Sequence, residues 1–95
     1  MEKDHRYKTV KVMIETGNIT EFRELFATIP KSVVAQDLGT NNNRMTRMIG
    51  RVEQFKIEEL YKISRLVDVD FRAFINLVTN QFLNSLNEKK NKRKS

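Results

Sequence analysis

Apolar residues recur at intervals of three and four along almost the whole chain, a period that commits it to helices. Tyr7, Val10 and Ile14 open the pattern, and Gly17 follows as a stop. Phe22, Leu25, Phe26 and Ile29 form a complete stripe, with Thr20 as its expected cap and Glu21 and Glu24 suited to its positive end. Pro30 tolerates only a first-turn position, so a new helix begins there. That helix turns Val34, Ala35 and Leu38 inward and ends at Gly39. Met45, Met48, Ile49 and Val52 give the next stripe, opening after Thr40-Asn41 and loosened at Gly50. Ile57, Leu60, Ile63 and Val67 mark a further helix. Asp70 caps a long last one carrying Phe71, Phe74, Ile75, Val78, Phe82 and Leu86. Strict two-residue alternation is missing; Leu66-Val67-Asp68-Val69 is too short and too acidic to count as a strand. The expectation is a compact all-α domain over residues 1–87, with a disordered basic tail over 88–95.

Ninety-five residues make one domain. A chain this short buries only about 60–65% of its unfolded surface, so a second copy is a natural source of extra stability. Cysteine is absent, which removes disulfides and thiolate metal sites from consideration. No apolar run approaches the roughly 18 residues of a membrane span, and the leading MEKDHRYK lacks the apolar stretch of a signal peptide. A cytoplasmic location is expected.

The net charge of +6 is concentrated in two places. Residues 88–95 hold five cations (Lys89, Lys90, Lys92, Arg93 and Lys94) against Glu88. Residues 31–51 hold Lys31, Arg44, Arg47 and Arg51 against Asp37. Positive charge gathered this way attracts polyanions, although a charged terminus is often merely solvated.

The internal basic stretch coincides with the steric requirements of a helix-turn-helix over about 31–50. Two short helices crossing at about 90–120° need a small residue at the crossing, and Ala35 is there. Their tight turn needs a residue that accepts positive φ, and Gly39 is there. Val34, Leu38, Met45 and Met48 supply a shared apolar seam.

On these residues the chain resembles the lambda repressor-like (Cro-type, XRE-like) helix-turn-helix family. The resemblance covers roughly residues 20–80, with 57–75 similar to the family's fourth and fifth helices. The helix around Tyr7–Ile14 lies outside the minimal family domain, giving five helices plus one at the N-terminus. Lys31-Ser32 stand where the family often has glutamine, and Thr40 where it often has an aliphatic residue.

The resemblance implies that the second helix of the pair enters the major groove of double-stranded DNA. With Met45, Met48 and Ile49 inward, Asn42, Asn43, Thr46 and Arg47 point outward and are expected to contact bases. Asparagine pairs with adenine, arginine with guanine, and the threonine methyl with thymine. Lys31, Ser32, Asn41, Arg44 and Arg51 are the expected phosphate contacts. Asn41 has a plainer role as an N-cap, and Asn42 and Asn43 could also serve only the turn. Phe74, Val78, Phe82 and Leu86 offer more apolar surface than a small domain readily covers, and are expected to form a homodimer interface unless the N-terminal helix packs on them. The function expected is sequence-specific DNA binding by a homodimeric transcriptional regulator, a repressor, associated with the bacterial nucleoid through DNA. Two rivals are a protein-interaction module, adaptor or antitoxin-like, and a non-specific nucleic-acid binder driven by the tail.

Catalysis finds little material. His5 lies near the terminus, Glu58 and Glu59 point different ways from one helix, and Asp70 is explained as a cap. Gly17, Gly39 and Gly50 are isolated, so no phosphate-cradling loop is formed. No enzyme activity, cofactor, metal or small-molecule ligand is expected.

Overall fold

A computed structural model describes residues 4–93, with side chains through Glu88. The described chain is all-helical and contains no strand. Five α-helices are present: α1 (Arg6–Glu15), α2 (Lys31–Leu38), α3 (Asn42–Ile49), α4 (Ile57–Leu66) and α5 (Phe71–Arg93). Two 3₁₀ segments, Phe22–Ala27 and Val52–Gln54, join α1 to α2 and α3 to α4.

The stops of α2 and α4 follow one backbone device. After α2, Gly39 adopts φ +86°. The amides of Gly39 and Thr40 then turn back to the carbonyls of Gln36 and Ala35, at 3.2 and 2.9 Å. This is the paired closure that satisfies orphan carbonyls at a helix end. After α4 the same closure is made by Asp68 at φ +57°, with Val69 N donating to Ser64 O at 3.0 Å. A short polar side chain is the usual substitute for glycine in this region. Its carboxylate also accepts Lys11 Nζ at 3.0 Å, tying the α4–α5 turn to α1. The segment 66–69 is therefore a helix end and a turn.

The expected helix over Phe22–Ile29 forms as 3₁₀ over Phe22–Ala27, and Thr20 does not cap it. Instead the Glu24 carboxylate reaches back to the amides of Thr20 and Glu21, at 2.7 and 2.9 Å. A 3₁₀ segment rises about 2.0 Å per residue and eclipses positions i and i+3. Phe22 and Leu25 therefore both point into the core, where each is fully buried.

Phe22 is the centre of that core. Phe26, Phe55 and Phe74 meet it edge-on, with ring centroids 5.4, 5.4 and 5.8 Å away. Such geometry suits the ring quadrupoles. The first 3₁₀ segment, the end of the second and α5 are joined through one ring in this way. Val10, Ile29, Val34, Met45 and Ile63 complete the core with no exposed surface. Tyr7 brings α1 onto α2, its buried hydroxyl donating to Asp37 Oδ2 at 2.8 Å. Burial, followed by the Asp37 carboxylate, pushes the phenol's pKa far above its ordinary value.

Asp70 caps α5 as its sequence position indicates, accepting from Arg72 N at 3.1 Å. The backbone of α5 is helical through Arg93, where a disordered tail was expected from residue 88 onward. Residues 88–93 contain strong helix formers and neither glycine nor proline, so nothing in them stops the preceding helix. Lys94 and Ser95 lie outside the described residues. No helix among the described residues is long and apolar enough to cross a membrane.

Candidate nucleic-acid interface

Helices α2 and α3 pack against each other across the three-residue turn Gly39–Asn41. Ala35, 2% exposed, shares the buried seam with Val34, Leu38, Met45 and Met48. The α3 helix begins where expected because Asn41 caps it, its Oδ1 accepting Arg44 N at 2.7 Å. That carboxamide oxygen is occupied by the helix, while its Nδ2 is the group that would donate to a phosphate.

With Met45 and Met48 buried, Asn42, Asn43, Thr46 and Arg47 are all exposed on the outer face of α3. The Thr46 hydroxyl donates to the Asn42 carbonyl at 2.9 Å, which commits its proton to the helix. The start of α2 lies beside this face. Lys31, Ser32, Asn42 and Thr46 line one open depression, floored by Phe26, Pro30 and Ile49. The first amides of α2 have no acceptor within their own helix. Two expected phosphate contacts and two expected base contacts thus share one surface. Between Leu38 and Val52 there is no carboxylate.

Arg44 is used differently from the expectation. It points at α4, where Nη1 and Nη2 donate to the two carboxylate oxygens of Glu59, at 2.7 and 3.1 Å. The pair is largely shielded, with 28% and 19% of the side chains exposed. The Arg44 guanidinium holds the Glu59 carboxyl below the usual range. Glu59 also accepts Lys56 N at 3.0 Å, so one carboxylate caps α4 and anchors α3. Arg51 lies beyond α3 and is exposed.

The expected dimer residues divide into two groups. Phe74 has no exposed surface and Val78 only 8%, so both are spent in the chain's own core. Phe74 faces Phe22, a partner that helical spacing alone does not reveal. Phe82 is half-buried and Leu86 is 40% exposed, and Leu83 beside them is 51% exposed. These three leave an apolar surface on the second half of α5.

Two residues that periodicity did not single out hold α3 in place. Glu59 is one, and its signal is the acidic residue at the third position of a helix, the place of a capping box. The other is Gln81, a polar residue on the same face of α5 as Phe74, Leu77 and Val78. Its signal is that interruption of an otherwise apolar stripe.

Among the described residues, no group of His, Asp or Glu is arranged to hold a metal ion. Comparison of the chain with protein-family models, with characterised proteins and with solved structures gives no match. The functional reading therefore rests on the side chains themselves.

Proposed function

We propose that this protein binds double-stranded DNA sequence-specifically, with α3 as the helix that enters the major groove. One observation carries the reading. Asn42, Asn43, Thr46 and Arg47 stand exposed on one face of a short capped helix whose other face is core. These groups have the donors and acceptors that read base edges. Lys31 and Ser32 at the start of α2, with Arg51 beyond α3, contact phosphates and set the register. Arg44 serves from behind, holding α3 against α4. The α2–turn–α3 order within an all-helical domain supports the lambda repressor-like resemblance.

Two copies joined through Phe82, Leu83 and Leu86 would present two reading helices to a palindromic site, with half-sites about 34–36 Å apart. A dimer of this kind represses transcription by occupying a promoter, in the cytoplasm and on the nucleoid. Selection of bound molecules from a random duplex pool tests the proposal. An enriched palindrome supports it. Binding without enrichment leaves charge-driven association, which deletion of residues 88–95 should then abolish.

A second reading is favoured by a separate observation. Ile57 and Tyr61 are 62% and 50% exposed, one turn apart on the outer face of α4. A protein-interaction module would use such a face. It would show no salt-sensitive affinity for DNA, whereas a phosphate-contacting protein loses affinity steeply with salt.

A further inference from the structure

The α3 helix is anchored at its first half by Arg44 and Glu59. Its far end is anchored by Gln81, from a helix more than thirty positions later in the chain. Gln81 is 4% exposed, and both ends of its amide are engaged. Nε2 donates to the Ile49 carbonyl at 2.6 Å, and Oε1 accepts the Arg23 amide at 2.7 Å. The two partners are complementary kinds of orphan. Ile49 is the last residue of α3, where carbonyls lack helical donors. Arg23 is the second residue of the first 3₁₀ segment, where amides lack acceptors. A carbonyl on one side and an N–H on the other also fix which way round the amide lies.

The same stretch of α5 is tied down by its neighbours. Asn80 Nδ2 donates to Thr20 O at 3.0 Å, and Asn84 Nδ2 donates to Glu21 Oε2. Those contacts fix α5 against the 3₁₀ segment. Gln81 extends the fixation to α3. It also directly precedes Phe82, at the edge of the apolar surface assigned to the dimer.

We infer that Gln81 is a positioning residue for DNA reading, which sets the orientation of the C-terminal turn of α3 and joins it to the dimer helix. This rests on the reading of α3 as the groove-entering helix. Gln81 touches no base or phosphate; it acts through the Ile49 carbonyl. The last turn of α3 carries Arg47, so the base position read by Arg47 is the one that depends on Gln81. An apolar residue of equal length fills the space but leaves the C-terminal turn without its external donor.

The test uses the full chain with Gln81→Met and Gln81→Glu. Amide hydrogen exchange is measured residue by residue, alongside binding to a duplex selected by the wild-type protein and to an unrelated duplex. Gln81→Met is expected to accelerate exchange at Arg47–Gly50 by about tenfold, with α1 unaffected. Its affinity for the selected duplex should fall about tenfold or more, while affinity for the unrelated duplex and its salt dependence stay at wild-type values. In Gln81→Glu the protonated carboxyl can still accept from Arg23 and donate to Ile49, whereas the carboxylate repels the carbonyl. Its exchange at Arg47–Gly50 should return to the wild-type rate as pH falls, compared at each pH with the wild type.

Unchanged exchange in α3 overturns the inference. Equal acceleration in every helix also overturns it, since Gln81 would then serve general stability alone. Failure of the wild-type protein to select any duplex refutes the DNA-reading role, while the exchange pattern still decides whether Gln81 orders α3.

Discussion

Arg44 and Glu59 face each other across the gap between α3 and α4 in a two-pronged ion pair, at 2.7 and 3.1 Å. The pair makes the attitude of α3 sensitive to acid. Glu59 is held below its ordinary pKa, with the Arg44 guanidinium as the first cause. A carboxyl depressed on folding contributes stability that is present above its unfolded pKa, about 4.3. That contribution is lost as pH falls through the lower folded value. Glu59→Gln should therefore lower the melting temperature at pH 7 by about 4–8 °C, the equivalent of about 1 kcal/mol in a domain of this length. The difference from wild type should shrink to nothing in the acid range. Thermal melts of both proteins from pH 7 to pH 2 measure this, and a gap that persists at the lowest pH would refute the assignment.

Arg44 also illustrates where a sequence stops being informative. Its place in α3 could be read from apolar spacing, and so could the boundaries of the α2–α3 pair, because Gly39 and Asn41 act on their own backbone neighbours. The outward direction of Asn42, Asn43, Thr46 and Arg47 follows from the inward direction of Met45 and Met48 by the geometry of one helix. What Arg44 touches depends on a residue fifteen positions away, and local spacing carries no information about that. Phe74 and Val78 show the same limit. Their apolar stripe marks them as buried, but whether by Phe22 or by a second chain is decided only by tertiary packing. The 3₁₀ form of Phe22–Ala27 is likewise set by Glu24 capping and by the approach of α5. Gln81 was visible only as an exception, a polar residue amid apolar ones, whose partners Ile49 and Arg23 no local rule connects.

The three consecutive asparagines should separate cleanly by role. Asn41 caps α3 through Oδ1, and loss of such a cap costs about 0.5–2 kcal/mol. Asn41→Ala should therefore destabilise the protein by that amount in urea unfolding. Asn42→Ala and Asn43→Ala alter exposed positions and should remain within about 0.5 kcal/mol of wild type. Their effect should appear instead in affinity for a selected duplex. Comparable destabilisation by all three would return the whole triplet to a turn-forming role.

Arg47 and Lys31 represent the two kinds of contact in the proposed DNA interface, and their losses should look different. A bidentate arginine–guanine contact is worth about 1–3 kcal/mol of discrimination. Arg47→Ala should thus reduce preference for the selected duplex over a single-base variant by about five- to 150-fold, at one base position. Lys31→Ala should weaken selected and unrelated duplexes alike, and reduce the slope of log affinity against log salt by about 0.9. Titrations at several salt concentrations against both duplexes distinguish the two patterns. Exchange of these patterns between the two variants would reverse the roles of α2 and α3.

Dimerisation and folding should be separable along α5, because its first half faces inward and its second half does not. Phe74 lies edge-on to Phe22 with no exposed surface, so Phe74→Ala should cost about 3–5 kcal/mol and unfold much of the protein at any concentration. Leu83 and Leu86 retain 51% and 40% of their exposure. A lysine at Leu86 leaves the core untouched but puts a charge where a second copy would bury a side chain. Burial of a leucine is worth about 1.5–3 kcal/mol, so Leu86→Lys should raise the dimer dissociation constant by about tenfold or more. Its melting temperature at high dilution should match that of wild type. Sedimentation across a range of concentrations reads the first effect and thermal melts the second. A wild-type chain that sediments as a monomer at tens of micromolar would refute the dimer and leave the α5 surface for another partner.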